Sequence, residues 1–401
     1  MPKLQQFVIE LNNSEALYFG GQAVSGRVLV TLNEPMKMRA IKLKFKGAAK
    51  NEWRQGQGQR DAGARYSKEE VYFNQEIDLW KASGDSEELP AGNYRYPFKY
   101  ILPANCPSSF EGAAGNIRYF CKATIDKPWK FDHTVKRPFS VVAIVDLNVD
   151  PNAANPLETS KTKELGFSIF KSGKISAHLR VPKQGYVCGE DVPVFLKVTN
   201  ESKRSIEKVE LVLLQKITFE ANITSLNMMD HGMPGIRQTV NILVQYVNNH
   251  NTPPGQNINW EPLIFRIPAV SPMLIHCNII FIDYCLKIEV VPSGPSFAFD
   301  IAVPLVVGNI PLRQQFAELE KVGGASSQGE GLSASAPPLP EAFSAQYPEL
   351  PLPTYAESQM KGDYRDDQDN KYTGGDLHFA PKYMYYNFPQ SAGAQPSAPP
   401  P

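Results

Sequence analysis

The chain has 401 residues, enough for two ordinary domains and a tail. Its 41 Lys+Arg and 41 Asp+Glu cancel, which removes any global electrostatic case for nucleic acid as a partner. The start, Met1-Pro2-Lys3-Leu4, lacks the apolar core of a signal peptide, no run of about 18 apolar residues exists to span a bilayer, and myristoyl and prenyl signals are missing. Five scattered cysteines read as reduced thiols in a cytosolic protein. The neutral balance hides two unlike parts: 6 basic against 11 acidic residues from Arg313 onward, and 35 against 30 before it. Solvated surface charge explains the body's small excess better than a polybasic patch.

In chain order, the dominant pattern is period-two alternation, the signature of half-buried strands. Segments 24–32, 71–79, 117–125 and 192–198 all show it, and at 41–45 Ile41, Leu43 and Phe45 alternate with Lys42 and Lys44. The longest stripe is Ile280, Ile282, Tyr284, Leu286, Ile288 and Val290, opposed by Asp283, Lys287 and Glu289. Turn clusters such as Pro90-Ala91-Gly92-Asn93 and Pro253-Pro254-Gly255-Gln256 punctuate these runs. Tyr18, Gly21 and Val24 recur with the same spacing as Tyr186, Gly189 and Val192, an offset of 168 residues, and each set precedes a second strand, at 41–45 and 206–213. Two similar antiparallel sandwiches follow, joined near 148–162 where Pro, Asn and Ala break the pattern. Residues 313–321 suit a short helix with Phe316 and Leu319 on one side; beyond it Gly, Ser, Ala and Pro dominate, predicting disorder with local polyproline II.

Catalytic templates fail. Gly56 and Gly58 begin a dinucleotide fingerprint, but Asp61 stands where its third glycine belongs. There is no P-loop, no G-x-S-x-G elbow and no HExxH helix. The six histidines are dispersed, and His276-Cys277 with Cys285 reads as strand residues rather than as zinc ligands. No cofactor, metal or catalytic residue is expected, and the chain does not read as an enzyme.

Residues 89–148 carry a denser signal: Leu89 and Gly92, Tyr96-Pro97-Phe98, Ser109-Phe110-Glu111-Gly112, Ile117-Arg118-Tyr119 and Pro128-Trp129-Lys130. With the 270–291 stretch and a closing strand at 303–312, this resembles the α-arrestins, the arrestin domain-containing proteins, over roughly residues 5–312. The resemblance implies an all-β fold of two tandem immunoglobulin-like β-sandwich domains, arrestin N at 1–150 and arrestin C at 165–312, with a disordered proline-rich tail at 313–401. Pro107 and Pro128 then bound strands. Gly112 and Gly115 permit tight turns or left-handed backbone beside Phe110, which plugs the sandwich.

Family members carry Pro-Pro-x-Tyr motifs that bind WW domains of HECT-type ubiquitin ligases, yet no strict copy exists here. The nearest are Leu352-Pro353-Thr354-Tyr355 and Ala380-Pro381-Lys382-Tyr383, with Pro337, Pro338 and Pro340 a further candidate proline-rich ligand. A WW domain grips a polyproline turn and pockets the tyrosine; losing the first proline's preorganisation costs up to about tenfold in affinity. The two tyrosines lie 28 residues apart, a flexible span of roughly 30 Å that tandem WW domains could bridge for avidity. The resemblance thus implies an adaptor bringing a ligase to membrane receptor or transporter cargo for ubiquitination, endocytosis and endosomal sorting. It would be cytoplasmic, recruited to plasma membrane and endosomes, with peripheral membrane association through cargo. The alternative is a ubiquitin-independent arrestin-fold trafficking or signalling scaffold.

Overall fold

The computed structural model describes residues 2–56, 64–167, 170–224, 232–294, 298–323, 339–365 and 369–389. The alternating runs become strands, as the pleat requires: Ile41, Leu43 and Phe45 are buried while the intervening lysines face outward. In the first sandwich, Leu4–Leu11, Ala23–Leu32 and Gly92–Ile101 form a three-stranded antiparallel sheet. It faces a sheet in which Ala40–Gln55 pairs with Ala64–Lys81 on one side and Gly115–Asp126 on the other, followed by His133–Val142. Rings from both layers meet at the centre, with Phe45 stacked on Tyr100 at 4.6 Å.

The second sandwich repeats the plan. Leu157–Phe167, Phe170–Val181, Asp191–Ser202 and Ile258–Arg266 make one layer. Ile206–Ile223, Ile280–Pro292 and Phe299–Gly308 make the other, with Pro234–Asn248 on the far side of Ile206–Ile223. Every apolar member of the 280–290 stripe is buried.

The internal repeat has a structural meaning. Leu17–Phe19 pairs in parallel with His133–Val142, and Gly185–Val187 pairs in parallel with Phe299–Gly308. In each domain an early strand therefore caps the last one, buries its tyrosine and leaves through a glycine at φ 81° (Gly21) or 89° (Gly189). The sandwiches do not hang as beads: Ser67 and Tyr66 pair with Asn222 and Ile223, fusing the inner layers into a 12-stranded sheet. Asn51, fully buried, donates from Nδ2 to the Glu220 and Ile279 carbonyls at 2.9 and 2.7 Å, stitching one domain to the other.

Two local expectations need refining. Phe110 is buried as foreseen, but Gly112 and Gly115 do not adopt left-handed backbone. Close approach is what requires them: a Cβ on Gly112 would meet the Phe110 ring at 2.7 Å, and one on Gly115 would meet Asn51 Oδ1 at 2.0 Å. The expected helix after the second sandwich is present as a 3₁₀ turn at Arg313–Gln315 and an α-helix at Phe316–Gly323, with Phe316 and Leu319 buried.

Candidate functional site

The seam between the sandwiches carries a second apolar cluster. Leu17, Phe19 and Val142 come from the first domain, Val187 and Ile310 from the second, and Leu339, Tyr347, Leu350, Met384, Tyr386 and Phe388 from the tail. Tail residues between Leu339 and Leu350 and between Met384 and Phe388 thus complete a core that neither domain fills alone. Pro337 and Pro338 lie outside the described residues; Pro340 is half-buried and precedes the short helix Glu341–Gln346. Just after that helix, at its C-cap, Tyr347 donates its hydroxyl to Asp146 at 2.6 Å.

The tail's average composition is that of a free chain, and within it the described residues 339–365 and 369–389 pack on the body. That average runs over 89 residues, whereas the burying power is concentrated in one aromatic run, Tyr383-Met384-Tyr385-Tyr386-Asn387-Phe388. Such a run removes enough apolar surface from water to offset local ordering.

The two proline–tyrosine segments are not displayed some 30 Å apart. They pair with each other: Thr354–Glu357 lies antiparallel to Lys382–Tyr385, with Ala356 opposite Tyr383 and Tyr355 opposite Met384. Leu352 is 67% exposed, but Pro353 is buried and Tyr355 half-buried against the seam cluster. Pro381 is buried and Tyr383 only 4% exposed. Burial pushes both phenols well above their ordinary range. The second segment is also tied to both domains. The Lys382 amide donates to Ser140 Oγ at 2.9 Å, its ammonium pairs with Glu15 at 2.7 Å, and the Tyr386 amide donates to the Cys188 carbonyl at 3.1 Å.

Between these strands the tail crosses the first domain on charged contacts. Arg118, held by Glu111 at 2.7 Å, donates to the Asp363 carbonyl at 2.6 Å and sits over the Tyr364 ring. Lys136 is buried, donating to the Tyr364 carbonyl at 2.9 Å and pairing with Asp369 at 2.6 Å. Thr373–Gly375 then pairs in parallel with His133–Val142, and Arg137 meets Asp376 at 2.5 Å. An acidic strap thus lies on a basic groove, in keeping with the opposite charge excess of tail and body.

Sequence reasoning missed Lys136, Asp369, Tyr364 and Tyr386. The acidity of the tail against the body was the available signal. The cysteines show no activation: burial raises the Cys106 and Cys188 thiols to about 12 and about 11. Among the described residues, no three His, Cys, Asp or Glu side chains converge as a metal site, and no helix is long and apolar enough to cross a membrane.

Two antiparallel sandwiches of like plan, fused edge to edge and strapped by a C-terminal segment, make this an arrestin-fold protein. Residues 7–148 match the family described as Arrestin (or S-antigen), N-terminal domain, and residues 171–312 match its C-terminal domain. The chain is 28% identical to arrestin domain-containing protein 17 of Caenorhabditis elegans over 439 residues, covering 96% of this chain and all of that one. It is 29% identical to arrestin domain-containing protein 4 of Mus musculus, covering 75% of this chain and 70% of the relative. For arrestin domain-containing protein 1 of the same species the identity is 28%, with 85% and 73% covered. The chain belongs to the α-arrestin family of arrestin domain-containing proteins, and that membership supports a trafficking-adaptor role.

Proposed function

We propose that this protein is an adaptor linking membrane-protein cargo to a HECT-type ubiquitin ligase, and that it works by unmasking its tail. The cargo would be a receptor or transporter bound by the sandwiches. The ligase's WW domains would take the segments around Tyr355 and Tyr383, and proximity would drive ubiquitination, endocytosis and endosomal sorting. On this reading the protein is cytoplasmic and reaches plasma membrane and endosomes through its cargo. The observation that carries the proposal is the pairing of the two proline–tyrosine segments across the domain seam. A WW domain needs the tyrosine and proline faces that this pairing covers, so capture requires the strap to lift. Cargo that prises the seam would expose both segments together.

The test is capture of the full chain on immobilised tandem WW domains, comparing the native sequence with Tyr386→Asp/Phe388→Asp, which puts charges into the apolar seam that holds the two segments down. The strap-released variant should be captured at least about tenfold better, as expected when masking takes more than about 1.4 kcal/mol from binding. Adding Tyr355→Ala and Tyr383→Ala to it should remove capture. Equal capture of native and released chains would sink the masking. No capture of the released chain would sink the ligase link and leave the ubiquitin-independent scaffold, which the absence of a strict Pro-Pro-x-Tyr already favours as the second reading.

A further inference from the structure

The turn between Gly115–Asp126 and His133–Val142 is stiff at its base and apolar at its tip. Asp132 Oδ1 accepts from the Lys127 amide at 2.9 Å, closing the turn from within. Arg39 donates to the Lys127 carbonyl at 3.4 Å and Asn370 Nδ2 to the Asp132 carbonyl at 3.2 Å, bracing it from two sides. On this base Trp129 stands at φ 60° and is 101% exposed, and Phe131 is 65% exposed. Left-handed backbone is unfavourable for a bulky residue, and a fully solvated indole forgoes the burial that indoles usually find. Beside them the tail adds Tyr372, 42% exposed, edge-on to His133 at 5.0 Å and under the Lys127 ammonium at 5.5 Å.

Three exposed aromatics therefore lie on or beside this one turn, with exposed Lys130 between Trp129 and Phe131 and exposed Lys371 next to Tyr372. The acids that flank the turn in sequence are engaged: Asp126 by Arg39 at 2.5 Å and Lys42 at 3.5 Å, and Asp132 by the turn itself. We propose that this tip is a membrane-contact site that seats its indole and rings at the headgroup level of an anionic bilayer. A protruding side chain that touches nothing suits a soft, flat partner. Trp and Tyr favour the lipid–water interface, and flanking lysines favour anionic headgroups. The chain then touches the bilayer directly as well as through cargo, which fixes the orientation in which the sandwiches meet it.

Flotation of the full-length chain with phosphatidylcholine vesicles, with and without phosphatidylserine, tests this. The native chain floats with the anionic vesicles at low ionic strength. Trp129→Ser/Phe131→Ser loses binding by roughly tenfold for each aromatic, and Lys130→Glu/Lys371→Glu by at least roughly fivefold per lysine. Ile101→Ser, which removes a comparably exposed aliphatic side chain, leaves it unchanged. Unaltered thermal unfolding of the variants separates loss of contact from loss of fold. A blue shift of tryptophan emission on vesicles, absent in Trp129→Phe, reports the insertion itself. A native chain that floats with neither vesicle, the result a tip shaped for a protein partner gives, overturns the proposal. So does binding that survives the aromatic pair of substitutions.

Discussion

Asn51 shows what a single side chain does at the domain seam. Fully buried, it gives both amide hydrogens to carbonyls of the second domain. Its Oδ1 lies where a Cβ on Gly115 would sit, so that glycine is part of the same contact. Asn51→Leu leaves two carbonyls without that donor and should cost about 1–3 kcal/mol of stability in urea unfolding. Because the bond crosses domains, it should also split the transition into two. A single unshifted transition would mean that the seam is held elsewhere. Neither Asn51 nor Lys136 was legible in the sequence. Each lies on an otherwise regular strand, and each finds its partner more than 160 residues away. Period-two alternation reports which face a residue occupies and says nothing of such pairs.

At the level of elements, the Tyr-Gly-Val repeat was legible because local geometry enforces it. Gly21 and Gly189 both leave a short capping strand through left-handed backbone, a conformation that costs other residues about 1–2 kcal/mol. Their surroundings differ. A Cβ on Gly21 meets nothing within 4 Å, whereas one on Gly189 would lie 1.9 Å from the Tyr386 carbonyl oxygen of the tail. The two alanine substitutions should therefore carry a similar backbone penalty with different consequences. Gly189→Ala should speed amide exchange in Lys382–Tyr385 and raise WW capture; Gly21→Ala should do neither. Equal exchange in the two variants would show that the tail does not rest on Gly189. Repeated backbone leaves a mark at fixed spacing, but the tail's use of one copy leaves none.

For the whole molecule, the question is what holds the strap down, since that decides what can lift it. Two kinds of contact act at different points. Over the first domain the contacts are charged, and the outer pair, Arg137 with Asp376, is substantially solvent-exposed. At the seam they are mainly apolar and buried, from Leu339 to Phe388. Two sandwiches were readable from alternation because each strand records its own burial. A strap was not, because its adhesion is the sum of a weak acidic excess and one aromatic run, neither of which names the surface it covers. Raising salt from about 0.1 M to about 1 M shortens the screening length from about 10 Å to about 3 Å and weakens exposed pairs selectively. Amide exchange in Thr373–Gly375 should then rise several-fold, while Thr354–Glu357 and Lys382–Tyr385 stay protected, since burial of apolar surface is not screened. If both regions loosen together, the strap is one electrostatic unit, and a charged cargo tail or a change of ionic conditions alone is enough to release the proline–tyrosine segments. If only the first loosens, release needs a partner that opens the domain seam itself.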